Sequence, residues 1–172
     1  MIHEFSEWIN SVVKRFTIYR NVKEEFSIYY NDIDYKGKTV LNIGSDVGLT
    51  PMLFLDNGAN KVIGYSLDKQ MYHNKNYDFR GCLSNAFYKG KLDLDKADVL
   101  VIDCEGCEYS LPINELVKYK EWIICLHSDS FDFTEYQKVI EKLGKLKAIN
   151  GLEWIYVKSN KFDKQQILLE GD

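Results

Sequence analysis

The sequence contains no run approaching the roughly 20 apolar residues that a membrane-spanning helix requires. Its first 16 residues, MIHEFSEWINSVVKRF, are charged and amphipathic and lack the apolar core of a signal peptide. Repeats, linkers and low-complexity segments are missing as well. These absences predict a cytoplasmic protein without a membrane partner.

The sequence also has fewer positively charged than negatively charged residues. Lysine and arginine number 22 against 26 acidic residues, which gives a formal net charge of −4. A chain with this balance has no global field that would attract a phosphate backbone. We therefore expect no nucleic-acid partner, and the oligomeric state is left open.

Cysteine is sparse, with residues at 82, 104, 107 and 125, and only Cys104 and Cys107 are close in sequence. A C-x-x-C pair can be half of a zinc site or a redox centre. Zinc would need a second pair or nearby histidines, and redox motifs usually open a helix after a strand. We interpret the cysteines as small buried side chains and assign no metal site.

The most informative stretch runs from Gly37 to Asp68. It begins with a buried apolar strand at 39–43 that stops at Gly44, as a parallel strand covered on both faces should. Gly48 closes a tight loop, apolar residues at helical spacing predict a helix at 49–55, and a second strand follows at 61–65. At 172 residues and 45% apolar content, the whole chain is predicted to form one domain.

Other segments of the chain also show apolar patterns typical of helices and strands. They predict helices at 3–16, 22–30, 69–77, 111–119 and 133–143, and strands at 80–83, 97–103, 122–126, 145–149 and 152–158. The last two strands are joined by Asn150-Gly151, a pair that supports a type I′ hairpin turn. The tail from 159 is interpreted as one more strand at 166–169 or as a partner contact.

The loop between the first strand and its helix has the features of a ligand site. Glycine at the strand end lets a ligand approach the backbone, and unpaired N–H groups at the helix start carry partial positive charge. Ligands of open parallel sheets bind beyond the carboxyl ends of the strands. The spacing here is G-x-x-x-G, which is neither the G-x-G-x-x-G dinucleotide fingerprint nor a P-loop, and it disfavours an NAD-dependent oxidoreductase.

The segment 40–48, VLNIGSDVG, resembles motif I of class I methyltransferases that use S-adenosylmethionine, and specifically the FkbM-type pattern V-L-D-x-G-A-N-x-G. A second pattern of that family, K-x-D-x-E-G-x-E, is matched by the residues Asp103, Glu105, Gly106 and Glu108. His127 matches the end of a third, E-I-H. The resemblance extends over about residues 37–158.

The resemblance implies an α/β, Rossmann-like class I methyltransferase fold. Such a fold has a central, mostly parallel sheet of about seven strands, a C-terminal antiparallel hairpin, and helices on both faces. Residues 37–158 would form this core and 159–172 a tail. The aromatic, helical segment 1–36 is interpreted either as a lid over the substrate or as core filler.

The resemblance also implies S-adenosyl-L-methionine as cofactor. The residues it assigns to cofactor binding are Asn42, Gly44, Ser45, Asp46, Gly48, Ser66, Asp68, Asn85 and Asp103. Asn42 stands where the family has an acid, and Ser66 stands where the family has the acid that binds the ribose, so Asp68 is a candidate substitute.

His127 is the first candidate for the base that takes the acceptor's proton, because imidazole titrates near neutral pH. Asp103 and Glu105 are alternative bases, or they orient the histidine and the acceptor hydroxyl, although Glu105 and Glu108 also fit a solvated helix start. A divalent metal on Asp103, Glu105 and His127 is disfavoured, since oxygen-rich sites need more ligands.

The predicted function is S-adenosylmethionine-dependent methyl transfer, EC class 2.1.1, to an oxygen of a small-molecule or glycosidic hydroxyl. The alternative is a degenerate methyltransferase-fold protein with weak or no cofactor binding that serves a binding role.

Overall fold

The structure is a computed structural model that describes residues 17–45, 47–66, 74–80, 97–104, 106–110, 116, 118–130 and 132–170. The predicted helix at 3–16 and most of the predicted helices at 69–77 and 111–119 lie outside these residues. Four predicted site residues also lie outside them, namely Asp46, Asp68, Asn85 and Glu105.

Strands and helices alternate along the described chain. Their bounds are α1 at 17–29, β1 Thr39–Ile43, α2 Leu49–Asp56, β2 Lys61–Tyr65, β3 Tyr77–Phe79, β4 Val99–Ile102, a 3-10 turn Cys107–Ser110, β5 Glu121–His127, α3 Phe133–Ile140, β6 Lys145–Asn150, β7 Glu153–Lys158 and α4 Asn160–Glu170. None of the described helices has the length and apolar character needed to cross a bilayer.

The seven strands form one sheet in the order β3-β2-β1-β4-β5-β7-β6. Strands β1 to β5 are parallel, and β7 inserts antiparallel between β5 and β6. The predicted fold class, with its C-terminal antiparallel hairpin, is therefore confirmed.

Both faces of the sheet are covered, which explains why the central strands read as continuous apolar runs. All four residues of β4 are buried, and they alternate between the two faces. One face packs against Phe26 of α1 and Phe54 of α2, and the other packs against Ile140 of α3. Aromatic residues of the N-terminal segment, including Tyr29, Tyr30 and Tyr35, belong to the core of the first face.

The position predicted for the third strand is wrong. The strand that pairs with β2 begins at Tyr77, inside the predicted helix 69–77, and not at Arg80. Its position depends on a long-range contact, because the Tyr77 ring covers Gly64 of β2 so closely that a Cβ at Gly64 would lie 2.6 Å from it. A local pattern does not contain that information.

The strand predicted at 166–169 is also wrong, because residues Asn160–Glu170 form helix α4. Ser159 precedes this helix, and its hydroxyl oxygen accepts a hydrogen bond from the N–H of Lys161, as an N-cap residue does. Phe162 is buried and docks the helix onto the core of the first face. The helix start is therefore fixed by a cap and by an apolar anchor.

Candidate functional site

Polar side chains collect at the carboxyl ends of the parallel strands, which meet at one edge of the sheet. We call Asn42, Gly44, Ser45 and Ser66, at the ends of β1 and β2, the glycine half of this edge. We call Asp103, Glu108, His127 and Glu153, around the ends of β4, β5 and β7, the acid half. Gly48 starts α2 with a positive φ of 96°.

His127 lies at the centre of the acid half. Its Nδ1 is 2.8 Å from Oε1 of Glu108, and its Nε2 is 3.9 Å from Oδ1 of Asp103. The side chain is 13% exposed. The predicted pairing of His127 with Asp103 at one site is thus present in the structure, with Glu108 as an additional partner.

Glu108 is a fully buried carboxylate, at 0% exposure. It accepts hydrogen bonds from the backbone N–H of Gly106 at 2.8 Å and of His127 at 3.2 Å, besides its contact with the imidazole. A buried carboxylate needs such partners. The interpretation of Glu108 as a solvated helix start is therefore wrong.

Two buried side chains on the core side form hydrogen bonds with Asp103. The hydroxyl of Tyr30 donates to its Oδ2 at 2.6 Å, and the buried thiol of Cys125 is also hydrogen-bonded to it. Burial first, and then the Asp103 charge, raises the pKa of Tyr30 well above its ordinary value, so the phenol is a donor. No sequence pattern pointed to Tyr30, since its partner is 73 residues away.

A third acid flanks the imidazole. Glu153 of β7 lies opposite His127 in the β5–β7 register, and the hydroxyl of Tyr29 donates to its Oε2 at 2.6 Å. The side-chain amide of Asn150 donates in turn to the Tyr29 hydroxyl. The neighbouring residues Tyr29 and Tyr30 therefore bind the carboxylates on the two sides of His127.

These neighbours raise the pKa of His127 above its ordinary value. The hydrogen bond with Glu108 is the largest cause, and the charges of Glu108, Asp103 and Glu153 add to it, while partial burial acts in the opposite direction. The imidazole consequently stays protonated to a higher pH than a free histidine.

Gly44 is required by the fold in a way that the sequence did not indicate. It has a positive φ of 87°, and a Cβ there would overlap the backbone carbonyl oxygen of Asp103. The N–H groups of Gly44 and Ser45 donate to the carbonyl of Tyr65 at 2.8 and 2.9 Å. The expectation that Gly44 leaves space for a ligand is therefore wrong at the position of its missing Cβ, which the chain itself occupies. The glycine instead lets the ends of β1 and β4 approach each other.

The other polar groups of the glycine half are neutral and buried. Asn42 is 0% exposed, and neither its amide nitrogen nor its amide oxygen has a hydrogen-bond partner among the described residues. Ser45 is equally buried, with its hydroxyl 3.1 Å from that of Tyr77, and Ser66 is 3% exposed. An unpaired buried amide is costly unless a further group completes it.

The two cysteines of the C-x-x-C pair are joined by a disulfide, and both are half-buried. The interpretation of these two as merely small buried side chains is therefore wrong for Cys104 and Cys107, while Cys125 is a free, buried cysteine as expected. Cys104 follows β4, and Cys107 is the first residue of the 3-10 turn.

Two adjoining cavities open in the acid half, and His127 lines the first of them. The first, of about 480 Å³, is lined by His127, Asp129, Asn150, Leu152 and Glu153. The second, of about 290 Å³, shares Asn150 and Glu153 and adds Glu25, Ile28 and Tyr29. A larger cavity of about 850 Å³ lies at the opposite edge, against Lys38 and Glu121, away from the polar strand ends.

The sheet order, the glycine loop and the polar strand ends define a Rossmann-like fold of the class I methyltransferases. A proposed tRNA (m1A22) methyltransferase from Streptococcus pneumoniae, Sp1610, solved with S-adenosyl-L-methionine, superposes with a TM-score of 0.53 at 14% identity, over 80% of this chain and 72% of that one. A proposed hemolysin from Lactococcus lactis superposes with a TM-score of 0.50 at 15% identity, over 88% and 95%.

The chain belongs to a family of viral proteins. It is 35% identical to "Uncharacterized protein 158B" of Sulfolobus islandicus rod-shaped virus 1 over 64% of this chain and 72% of that protein. It is 32% identical to "Uncharacterized protein 65" of a Sulfolobus islandicus filamentous virus, over 68% and 77%. No protein-family model matches the chain.

The prediction that excluded nucleic acid as a partner is wrong. The fold is shared with Sp1610, which is described as a proposed tRNA methyltransferase. A net charge of −4 argues only against strong nonspecific binding to phosphate, and it does not exclude an RNA acceptor.

Proposed function

We propose that the protein is an S-adenosylmethionine-dependent methyltransferase of the FkbM type that methylates an oxygen of a small-molecule or glycosidic acceptor. The observation that carries this proposal is the hydrogen-bonded pair of Glu108 and His127, with Asp103 beside it, at the carboxyl edge of a methyltransferase-type sheet. Such a base is what proton removal from a hydroxyl requires.

Two residues of the glycine half, Asn42 and Ser66, fit the proposed cofactor. Asn42 offers an amide donor and acceptor that have no other partner among the described residues, and Ser66 directly follows β2, where a ribose would be bound in folds of this type. The cofactor supplies an electrophilic methyl group when it is bound. Asp46, Asp68 and Asn85 stay sequence predictions as cofactor contacts, as does Glu105 as an alternative base.

His127 would take the acceptor's proton at Nε2. Donation from Nδ1–H to Glu108 leaves the Nε2 lone pair directed away from the turn, on the side of Asp103. As the oxygen–hydrogen bond of the acceptor breaks, the proton passes to Nε2, and the carboxylates of Glu108 and Asp103 stabilise the imidazolium that forms. Only the neutral imidazole can begin this step.

The acceptor would enter through the cavity of about 480 Å³ that His127 lines. Its described walls present the carboxylates of Asp129 and Glu153 and the amide of Asn150. These groups accept hydrogen bonds from hydroxyls, as a sugar or polyol acceptor would need. The N-terminal segment as a lid, and a cytoplasmic location, stay predictions from the sequence.

Calorimetry with S-adenosylhomocysteine tests the proposal. We expect saturable binding, and His127→Ala should keep that affinity while methyl transfer from labelled cofactor to the acceptor falls. The acceptor screen should contain saccharides, polyols and tRNA. Absence of binding at millimolar ligand would retire the enzyme proposal, and equal loss of binding and turnover in His127→Ala would assign His127 a structural role.

The second candidate is a methyltransferase-fold protein that binds cofactor weakly or not at all and serves a binding role. It is favoured by Asn42 and Ser66, which stand where the family pattern has acids, and by their burial. The same calorimetric experiment separates the two candidates.

A further inference from the structure

We propose that the Cys104–Cys107 disulfide is a positioning device for the acid half: it fixes the short loop that presents the carboxylates of Asp103 and Glu108 to His127. The disulfide closes a four-residue loop with a Cα–Cα distance of 5.5 Å. Asp103 directly precedes this loop and Glu108 directly follows it. The proposal rests on the proposed function only for the role of His127.

The contacts of Glu108 show how the loop holds it. The sulfur of Cys104 lies 3.4 Å from Oε2 of Glu108, and the same oxygen accepts the hydrogen bond from the N–H of Gly106, inside the loop. Gly106 has a positive φ of 110°, so this N–H is directed at the carboxylate by a backbone conformation that favours glycine. The other oxygen, Oε1, remains for His127.

Reduction opens this arrangement. A dithiol such as dithiothreitol supplies two electrons and two protons, the sulfur–sulfur bond becomes two thiols, and the reductant closes to its own cyclic disulfide. The loop then regains conformational freedom. It no longer fixes the Gly106 N–H against Oε2, so Glu108 spends less time against the imidazole.

Three carboxylates face His127: Glu108 from the 3-10 turn, Asp103 from the end of β4, and Glu153 from β7. Tyr30, the residue after α1, donates a hydrogen bond to Asp103, and Tyr29, the last residue of α1, donates one to Glu153. Both tyrosines are neutral. Only Glu108 and Asp103 adjoin the disulfide. Its loss should therefore weaken, and not abolish, the interactions that keep the imidazole protonated.

The test is an NMR titration of the histidine ring protons in the cofactor-free protein. The signal of His127 is assigned by its disappearance in His127→Gln. In the oxidised protein its pKa should lie above about 6.5, and reduction should lower it by about one unit. The double variant Cys104→Ser, Cys107→Ser should show the lowered pKa without reductant, and reductant should not change it further.

A pKa of His127 that is the same in oxidised and reduced protein would overturn the proposal. So would purified protein in which Cys104 and Cys107 are free thiols that hold zinc, as mass spectrometry and metal analysis would show. In Glu108→Gln, reduction should change the His127 pKa less than in the parent protein, because the main contact is already lost. Circular dichroism verifies that each form is folded. The readout needs neither cofactor nor acceptor, so its failure is distinct from failure of the proposed function.

Discussion

In the acid half each carboxylate around His127 has a hydrogen-bond partner, whereas in the glycine half the Asn42 amide has none among the described residues. The acid half is charged and complete within this chain. Among the described residues, the glycine half is neutral and incomplete. Under the proposed function, this difference predicts that the groups for proton transfer are positioned by the protein alone, while the Asn42 amide is completed by the bound cofactor.

The largest expected effect concerns Gly44 and would test whether the glycine half is set by the fold. Gly44→Ala forces a Cβ against the Asp103 carbonyl and should destabilise the protein by about 2 to 4 kcal/mol, with loss of S-adenosylhomocysteine binding. Gly37 is the matched control, since its φ is 75° and a Cβ there meets nothing within 4 Å. Gly37→Ala should cost about 1 kcal/mol and keep binding. Equal losses by urea unfolding would contradict the steric explanation.

The second-largest expected effect concerns the negative charge of Glu108 in the acid half. Glu108→Gln keeps the shape of the side chain but removes the carboxylate that holds the imidazole. Turnover should fall on the order of 100-fold, with little change in cofactor affinity. Steady-state kinetics with the acceptor identified by the labelled-cofactor screen and calorimetry provide the two readouts. A variant with normal turnover would show that the pair has no catalytic role.

Stability should depend on pH through His127. Its pKa is raised in the folded state, so its contribution is fully present below about 6.5 and is lost as pH rises through the folded pKa. Each unit of difference corresponds to about 1.4 kcal/mol. Urea unfolding at a series of pH values above 6 should show this decline, and Glu108→Gln should show a smaller one. The rate of methyl transfer should rise over the same window, because the base must be neutral.

The smallest expected effect concerns the buried amide of Asn42 in the glycine half. Asn42→Leu replaces a buried amide that has no partner among the described residues by an apolar side chain of similar size, and it should stabilise the cofactor-free protein by about 1 kcal/mol. It should also weaken S-adenosylhomocysteine binding about tenfold. If the variant is less stable and binds normally, the amide has a structural partner outside the described residues, and the glycine half is not incomplete.

The sheet could be predicted because burial on both faces leaves a local trace. The continuous apolar runs of β1, β4 and β5 and the Asn150-Gly151 hairpin are visible without any knowledge of neighbours. Strand β3 could not be placed, since its position depends on the contact of Tyr77 with Gly64. Helix α4 was missed because its start is fixed by the Ser159 cap and the docking of Phe162.

The candidate site was predictable only in part. Asp103 and His127 end buried strands, and that position alone makes them candidates. The burial of Glu108 and the reach of Tyr30 across 73 residues arise from tertiary packing, which has no local pattern. The disulfide is a similar case, because a pair of cysteines three residues apart fits several chemistries until the backbone is known.

The two adjacent tyrosines at the end of α1 have a mechanical consequence. Because Tyr29 and Tyr30 are consecutive in the chain, a displacement of this helix end would lengthen both hydrogen bonds, to Glu153 and to Asp103, in one movement. An acceptor that binds against Tyr29 in the smaller cavity would thus also lengthen the hydrogen bond of Tyr30 to Asp103, on the other side of the imidazole. Binding in the cavity would then be coupled to the surroundings of His127 through the single peptide unit that joins Tyr29 and Tyr30.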